Sequence, residues 1–267
     1  RLTEIRPVSE RANISTDGTM ILVRGEGWKE VKLTALSAVT VQAAGERAAQ
    51  PVRPRRREHD PLVRLSQHSY QAGLWEADTM GRHQYAEGLR RGLERCPTLS
   101  SVNAAAEWIE RITQRNFAHA VQIVDWSHGS GRLWEVGKAV LGEGKSETQQ
   151  WVEAHLDQLW AGEVSAVVTA LEGLDPKSQE AAESVRQATG YFRNQTPRMR
   201  YAEFRAAGYP IGSGTVESAA NTVVHHRMRR PGRGWQRDKA QAMLAGLSEL
   251  HSGRFDRAWQ ATLAQAI

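Results

Sequence analysis

A single cysteine, Cys96, in 267 residues excludes an internal disulfide framework and any multi-cysteine zinc site within the chain, and it fits a reducing compartment. Long apolar runs are also missing: none approaches the roughly 18 residues that would suggest a membrane span. The first residues, Arg1-Leu2-Thr3-Glu4, have neither a signal-peptide pattern nor an initiator Met, which leaves room for an upstream domain. Internal repeats and low-complexity tracts are absent too. Charge of one sign is only mildly in excess, with 35 Lys and Arg against 30 Asp and Glu. That balance favours nucleic acid over an acidic substrate or a membrane surface, and the dominance of Arg suits forked contacts to phosphates and base edges.

What is present is a 40% hydrophobic chain, enough for a substantial core in one or two domains. Strand-like segments near the start and helix-like ones afterwards predict an α/β class. Residues 12–24 read as a strand, Gly25-Glu26-Gly27 as a turn, and a second strand follows in which Val31, Leu33 and Ala35 alternate with Lys32 and Thr34. The pair predicts a hairpin. Pro51, Pro54, Pro61 and the run Arg55-Arg56-Arg57 break the pattern over 42–61, as a solvated or phosphate-contacting loop. A weaker strand is expected around Ser66–Leu74, then a helix from Glu76 that stops at Gly92.

Two βα units come next. Leu99-Ser100-Ser101-Val102 precedes a helix expected from Ala104 to Arg115, and Ala120-Val121-Gln122-Ile123-Val124 runs into Asp125-Trp126. From Gln149 to Ala207 the chain reads as successive helices, with Trp151, His155, Gln158 and Leu159 at helical spacing and Val164, Val167, Val168 and Leu171 likewise.

Four features can carry chemistry. Asp17 lies mid-strand, where propensity disfavours a carboxylate, so a metal or a buried hydrogen bond should compensate. Asp125 closes an apolar strand with His128 three residues on; it either serves a site at a strand end or caps the following helix. In Gly208-Tyr209-Pro210-Ile211-Gly212-Ser213-Gly214-Thr215-Val216-Glu217-Ser218, a Gly-rich loop opens a helix with Glu217 in its first turn. Regular spacing would set Glu217, Ala220, Asn221 and Val224 on one face, and the lack of a P-loop Lys argues against a nucleotide fold. Arg227, Arg229, Arg230 and Arg233 then crowd a Pro- and Gly-constrained stretch beside Trp235, the composition of a nucleic-acid contact surface.

The order of these motifs resembles the DDE transposases of bacterial insertion sequences, in the broad group related to Mutator-type elements. The matching pieces are Asp17-Gly18-Thr19-Met20 with Trp28-Lys29-Glu30-Val31-Lys32, Ala106-Glu107-Trp108-Ile109, Ile123-Val124-Asp125-Trp126-Ser127-His128, and Gly212-Ser213-Gly214-Thr215-Val216-Glu217-Ser218. Arg227-Met228 and Pro231-Gly232 follow before Trp235, so the resemblance runs over nearly the whole chain.

It implies a ribonuclease H-like core of mixed sheet and flanking helices, in segments 1–148 and 208–267, with an all-helical insertion over 149–207. It implies a bacterial, cytoplasmic, nucleoid-associated enzyme that cleaves and joins double-stranded DNA at element ends, as a homodimer or larger assembly. Two Mg²⁺ ions would be held by three carboxylates, because an in-line displacement needs charge stabilised on both the attacking and the leaving oxygen. Asp17 matches the first acid and Glu217 the third; Arg227, Arg229, Arg230, Arg233, Trp235 and His128 would contact DNA.

The second acid is missing. Alignment on Ala106 to Ile109 sets Ala104 at its position, and Ala cannot ligate a metal. Three explanations fit: an engineered Asp→Ala substitution, a naturally inactivated or repurposed transposase serving as a DNA-binding protein, or Asp125 supplying the carboxylate from one strand along. The last is geometrically weaker, since the expected acid follows the strand beside the first. A ribonuclease H-like nuclease that cuts without joining is a further alternative.

Overall fold

The computed structural model describes residues 10–43 and 60–265. Its first strands, β1 (Arg11–Val23) and β2 (Gly27–Gln42), form the expected hairpin, pairing antiparallel from Ala12↔Ala38 to Val23↔Gly27. The turn requires left-handed backbone at Gly25 (φ 76) and Gly27 (φ 78), which glycine adopts without Cβ strain. Pro51, Pro54 and the Arg55-Arg56-Arg57 run lie outside the described residues.

There follow β3 (Leu62–Gly73), α1 (Ala77–Arg90), β4 (Thr98–Asn103), α2 (Glu107–Asn116), β5 (Val121–Val124) and α3 (Trp126–Leu141). The five strands form one sheet in the order β3-β2-β1-β4-β5, mixed because β1 runs antiparallel to β2 and parallel to β4. The chain is therefore α/β, with a mixed sheet flanked by helices. Among the described residues no helix is long and apolar enough to cross a membrane.

Two expectations are corrected. The helix after β4 begins at Glu107, not at Ala104. Ala104–Ala106 carry the chain out of the strand, Ala106 N–H donating to the Ala104 carbonyl at 2.7 Å, and Ala106 is the extended N-cap. Nor does β2 alternate between buried and exposed: Val31 to Val39 are buried throughout. Both of its faces are covered, Val31, Leu33 and Ala35 by one apolar layer and Leu36 by another. Its polar residues are satisfied locally. Thr34 Oγ1 lies 3.0 Å from Thr16 Oγ1, and Lys32 pairs with Glu30 beneath the Trp108 ring.

The chain divides into two compact units. One comprises Arg1–Thr40, Arg64–Gln122 and Ser213–Ile267; the other comprises Val41–Val63 and Ile123–Gly212. In the first, the sheet unit, Ile21, Val23, Val31, Leu33 and Ala35 project from one face onto Val216, Val223, Val224 and Leu244. The residues between them project from the other face, where Ala12, Ile14 and Leu36 pack with Leu93, Leu99 and Phe117. At about 25 cal/mol per Å² of apolar surface removed from water, these two layers are the main stabilising term.

The second, helical unit holds α3 with α4 (Ser146–Ala161), α5 (Val164–Glu172), α6 (Gln179–Gln195) and α7 (Tyr201–Ala206). The helical block expected over 149–207 is thus joined by α3. Val164, Val167, Val168 and Leu171 form the buried face of α5, as their spacing predicts. On α4 the buried line is Thr148, Val152, Leu156 and Leu159; Trp151, His155 and Gln158 flank it rather than form it.

Candidate active-site face and nucleic-acid surface

Asp17 sits mid-strand in β1, paired with Leu33, and its side chain is on the sheet face that packs against Val216 and Val223. It is half-buried. The Gly18 N–H donates to its Oδ1 at 2.8 Å, a local bond that partly offsets the poor fit of a carboxylate in a strand.

β4 runs beside β1 with Ile14 opposite Ser101. The paired register ends there, β4 itself ends at Asn103, and Ala104 is the first residue beyond it. The two strand ends are tied together by Asn103, whose Oδ1 accepts from the Thr16 N–H at 2.5 Å while its Nδ2 donates to Ser101 Oγ at 2.7 Å. Asn103 is buried, and half-buried Ala104 follows it with a methyl that offers no lone pair.

Glu217 rides on the helix packed over that face. α8 (Gly214–Ala219), a π-helical turn (Ala220–His225) and α9 (His226–Met228) form one run. Ser213, buried at its start, donates from Oγ to Glu217 Oε1 at 3.1 Å. The single face expected for Glu217, Ala220, Asn221 and Val224 is not formed. Glu217 and Asn221 are exposed, Ala220 and Val224 buried, and Val223 is buried as well. The buried line is instead Val216, Ala219, Ala220, Val223 and Val224, which recurs at regular helical spacing and leaves Glu217 and Asn221 beside it.

His225 closes this turn onto β1. Its Nε2 lies 2.5 Å from Thr19 Oγ1 and its Nδ1 lies 3.0 Å from Asn221 Oδ1. An amide oxygen only accepts, so Nδ1 carries the proton and Nε2 accepts from the Thr19 hydroxyl. Burial, with help from the nearby Arg229 charge, holds the His225 pKa below its ordinary value. Thr19 shares the face of Asp17, two residues along the strand, so this bond fixes the Glu217 helix against that face.

Asp17 thus lies on the sheet face covered by the helix that carries Glu217, and Ala104 follows the end of the neighbouring strand β4. Among the described residues, no three His, Cys, Asp or Glu side chains are grouped so as to hold a metal ion.

Asp125 belongs to the helical unit and is 1% exposed. It is the N-cap of α3. Its Oδ1 accepts from the His128 N–H at 3.1 Å and from Ser127 Oγ, and His128 Nδ1 lies 3.2 Å away. Around it, Tyr201 Oη donates to the Val124 carbonyl at 3.0 Å, and the Trp126 N–H donates to the Ile211 carbonyl at 2.9 Å. Trp126 meets the rings of Trp160 and Tyr201 edge-on, and burial pushes the Tyr201 phenol well above its usual range. The Asp-x-x-His spacing therefore serves as a helix cap.

Arg227, Arg229, Arg230 and Arg233 are all exposed, and among the described residues none of the four makes an ion pair. Most of the other arginines after Arg95 are paired. Trp235, expected among the DNA contacts, is engaged inward: its ring packs on the sheet core and its Nε1 donates to the Met228 carbonyl at 3.0 Å. Its backbone bridges to Val23, donating to the Leu22 carbonyl at 2.9 Å and accepting from the Arg24 N–H at 2.8 Å. The aromatic that stands open beside the arginines is Trp28, 55% exposed, with the Arg229 guanidinium 5.7 Å from its ring centre.

In comparison with known proteins, the chain matches no protein-family model and no curated protein.

Sequence reasoning did not single out Asn103, Thr19, His225 or Trp28 as site residues. A signal existed for Thr19, which alternation sets on the face of Asp17. None existed for His225, because its partner Thr19 lies far away in the chain.

Proposed function

We propose that this chain is the ribonuclease H-like core of a DNA transposase that holds DNA but, with Ala at position 104, lacks the means to cut it. The observation that carries the reading is the juxtaposition of Asp17 and the Glu217 helix on one sheet face, with Ala104 just past the end of the adjacent strand β4. On this reading Asp17, Ala104 and Glu217 would offer two carboxylates and a methyl to a chemistry that needs three carboxylates. The donor set does not fit a pair of Mg²⁺ ions, because such ions need oxygen ligands that position and neutralise them, and no cutting step is assigned to it. The DNA-holding part of the reading is supported separately by the four exposed arginines that have no acidic partner among the described residues: such cations can displace counterions from phosphates. The helical unit would correspond to the family's insertion.

Restoring the acid is the direct test. Ala104→Asp should gain Mn²⁺ binding, followed by electron paramagnetic resonance, and divalent-metal-dependent nicking of supercoiled plasmid. Adding Asp17→Ala should abolish both gains. A folded Ala104→Asp protein that acquires neither property overturns the assignment of position 104.

A further inference from the structure

Beside the hairpin tip, Leu22, Trp28, Met228, Arg229, Arg230 and Arg233 line an open groove of about 280 Å³. That is close to the lower end of small-ligand sites, about 300 Å³. It has room for one flat ring and not for a double helix.

The groove is built rather than draped. Its loop is pinned to the hairpin by the two Trp235 backbone bonds described above and by Arg24 Nε donating to the Gly234 carbonyl at 2.7 Å. Arg230 Nε donates to the His226 carbonyl at 3.0 Å, which directs that side chain along the loop. On the other side of the turn, Arg237 forks onto Glu26, so that carboxylate is already neutralised.

The indole of Trp28 is uncovered by comparison with a closed stack in the same chain. The Arg205 guanidinium lies 3.8 Å from the centre of Trp160, against 5.7 Å for Arg229 and Trp28. An exposed indole face is hydrophobic and attracts a flat π system. Paired bases in a duplex keep their faces hidden against one another, so only an unstacked base can use it. The flanking cations match the phosphates on either side of such a base.

We propose that this groove holds a single unpaired nucleobase of a DNA strand, stacked on Trp28, with its neighbouring phosphates on Arg229, Arg230 and Arg233. The inference rests on the DNA-holding reading above and adds to it a preference for unpaired over fully paired DNA.

The test compares a labelled oligothymidine single strand with a labelled duplex of mixed sequence, by fluorescence anisotropy across a salt series. Trp28→Ala should weaken single-strand binding on the order of tenfold and leave duplex binding within about twofold, with an unchanged salt slope. Trp28→Phe should recover most of the loss, which separates stacking from a folding defect. The combined Arg229→Ala, Arg230→Ala and Arg233→Ala variant should weaken both DNAs and flatten the salt slope. Equal loss on both DNAs in Trp28→Ala, no loss on either, or no recovery in Trp28→Phe overturns the pocket alone. So does competition by free thymidine monophosphate as strong as that by the oligonucleotide. Failure of the unaltered protein to bind either DNA overturns the DNA-holding reading and the pocket with it.

Discussion

Asp17 and Asp125 look alike in the sequence, each a carboxylate set in or just after an apolar strand, and they turn out opposite in kind. Asp125 is buried, and one of its oxygens serves the first turn of its own helix through Ser127 and His128. Asp17 is half-buried, and the bond it makes to Gly18 is one that any strand could do without. Asp125 is thus accounted for by local structure. Asp17 sits in a strand that disfavours it, on the sheet face covered by the Glu217 helix, which makes it the carboxylate to test for a role in binding.

The largest expected effect separates the two directly. Asp125→Ala removes an N-cap, about 1–2 kcal/mol, and leaves buried donors unsatisfied, about 1–3 kcal/mol. A total near 3 kcal/mol should appear in urea unfolding, whereas Asp17→Ala should change stability by less than about 1 kcal/mol. Equal losses would erase the distinction and return Asp17 to a purely structural role.

The difference also shows what can be read from a sequence. The hairpin, the order of β and α elements and the helical block were legible because their apolar periods and glycine punctuation are local signals. The burial of Lys32 and Thr34 was not, since covering both faces of β2 depends on segments far along the chain. In the candidate site, Asp17 and Glu217 are picked out by residue type and motif order alone, and Ala104 falls just past the end of β4, the strand beside that of Asp17. The Glu217 face failed because spacing alone does not say which side of a helix the sheet will cover, and Val216, Ala219 and Val223 took that side. Trp235 and Trp28 were exchanged for a related reason. Being adjacent to arginines in sequence says nothing about which indole a backbone bridge turns inward.

A smaller effect tests how firmly the Asp17 face is joined to its helix. Thr19→Val keeps the shape of the side chain and removes the hydroxyl that donates to His225 Nε2. It should cost about 1 kcal/mol. His225→Ala should cost more, since it also frees Asn221 and leaves a gap. In the double mutant the two losses should fall short of their sum by about 1 kcal/mol, the coupling expected of residues in direct contact. Strict additivity would mean that the bond does not hold the helix, and the grouping of Glu217 with Asp17 would lose its anchor.

The smallest effect is acid sensitivity in the sheet unit, which holds His68, His83 and His225. Burial, as the largest cause, keeps all three pKa values below the ordinary 6.5, with Arg91, Arg82 and Arg229 respectively adding to it. In the unfolded chain these histidines bind protons as pH falls through about 6.5, while the folded ones still resist. Stability is therefore fully present above that pH and declines below it, until the folded histidines also protonate. Glu249 and Glu26, whose pKa values are lowered, chiefly by hydrogen bonds from Arg254 and Arg237, have the same sign but act only below the ordinary carboxylate value of 4.5. Thermal unfolding should thus show a midpoint that falls gently on acidification from neutrality, before any carboxylate contributes. His225→Gln should make that decline shallower, because one of the three proton-resisting groups is gone. A midpoint that rises over this range would require histidines stabilised by protonation, and the neutral His225 bridge between Thr19 and Asn221 would then be the wrong description of the joint beside Asp17.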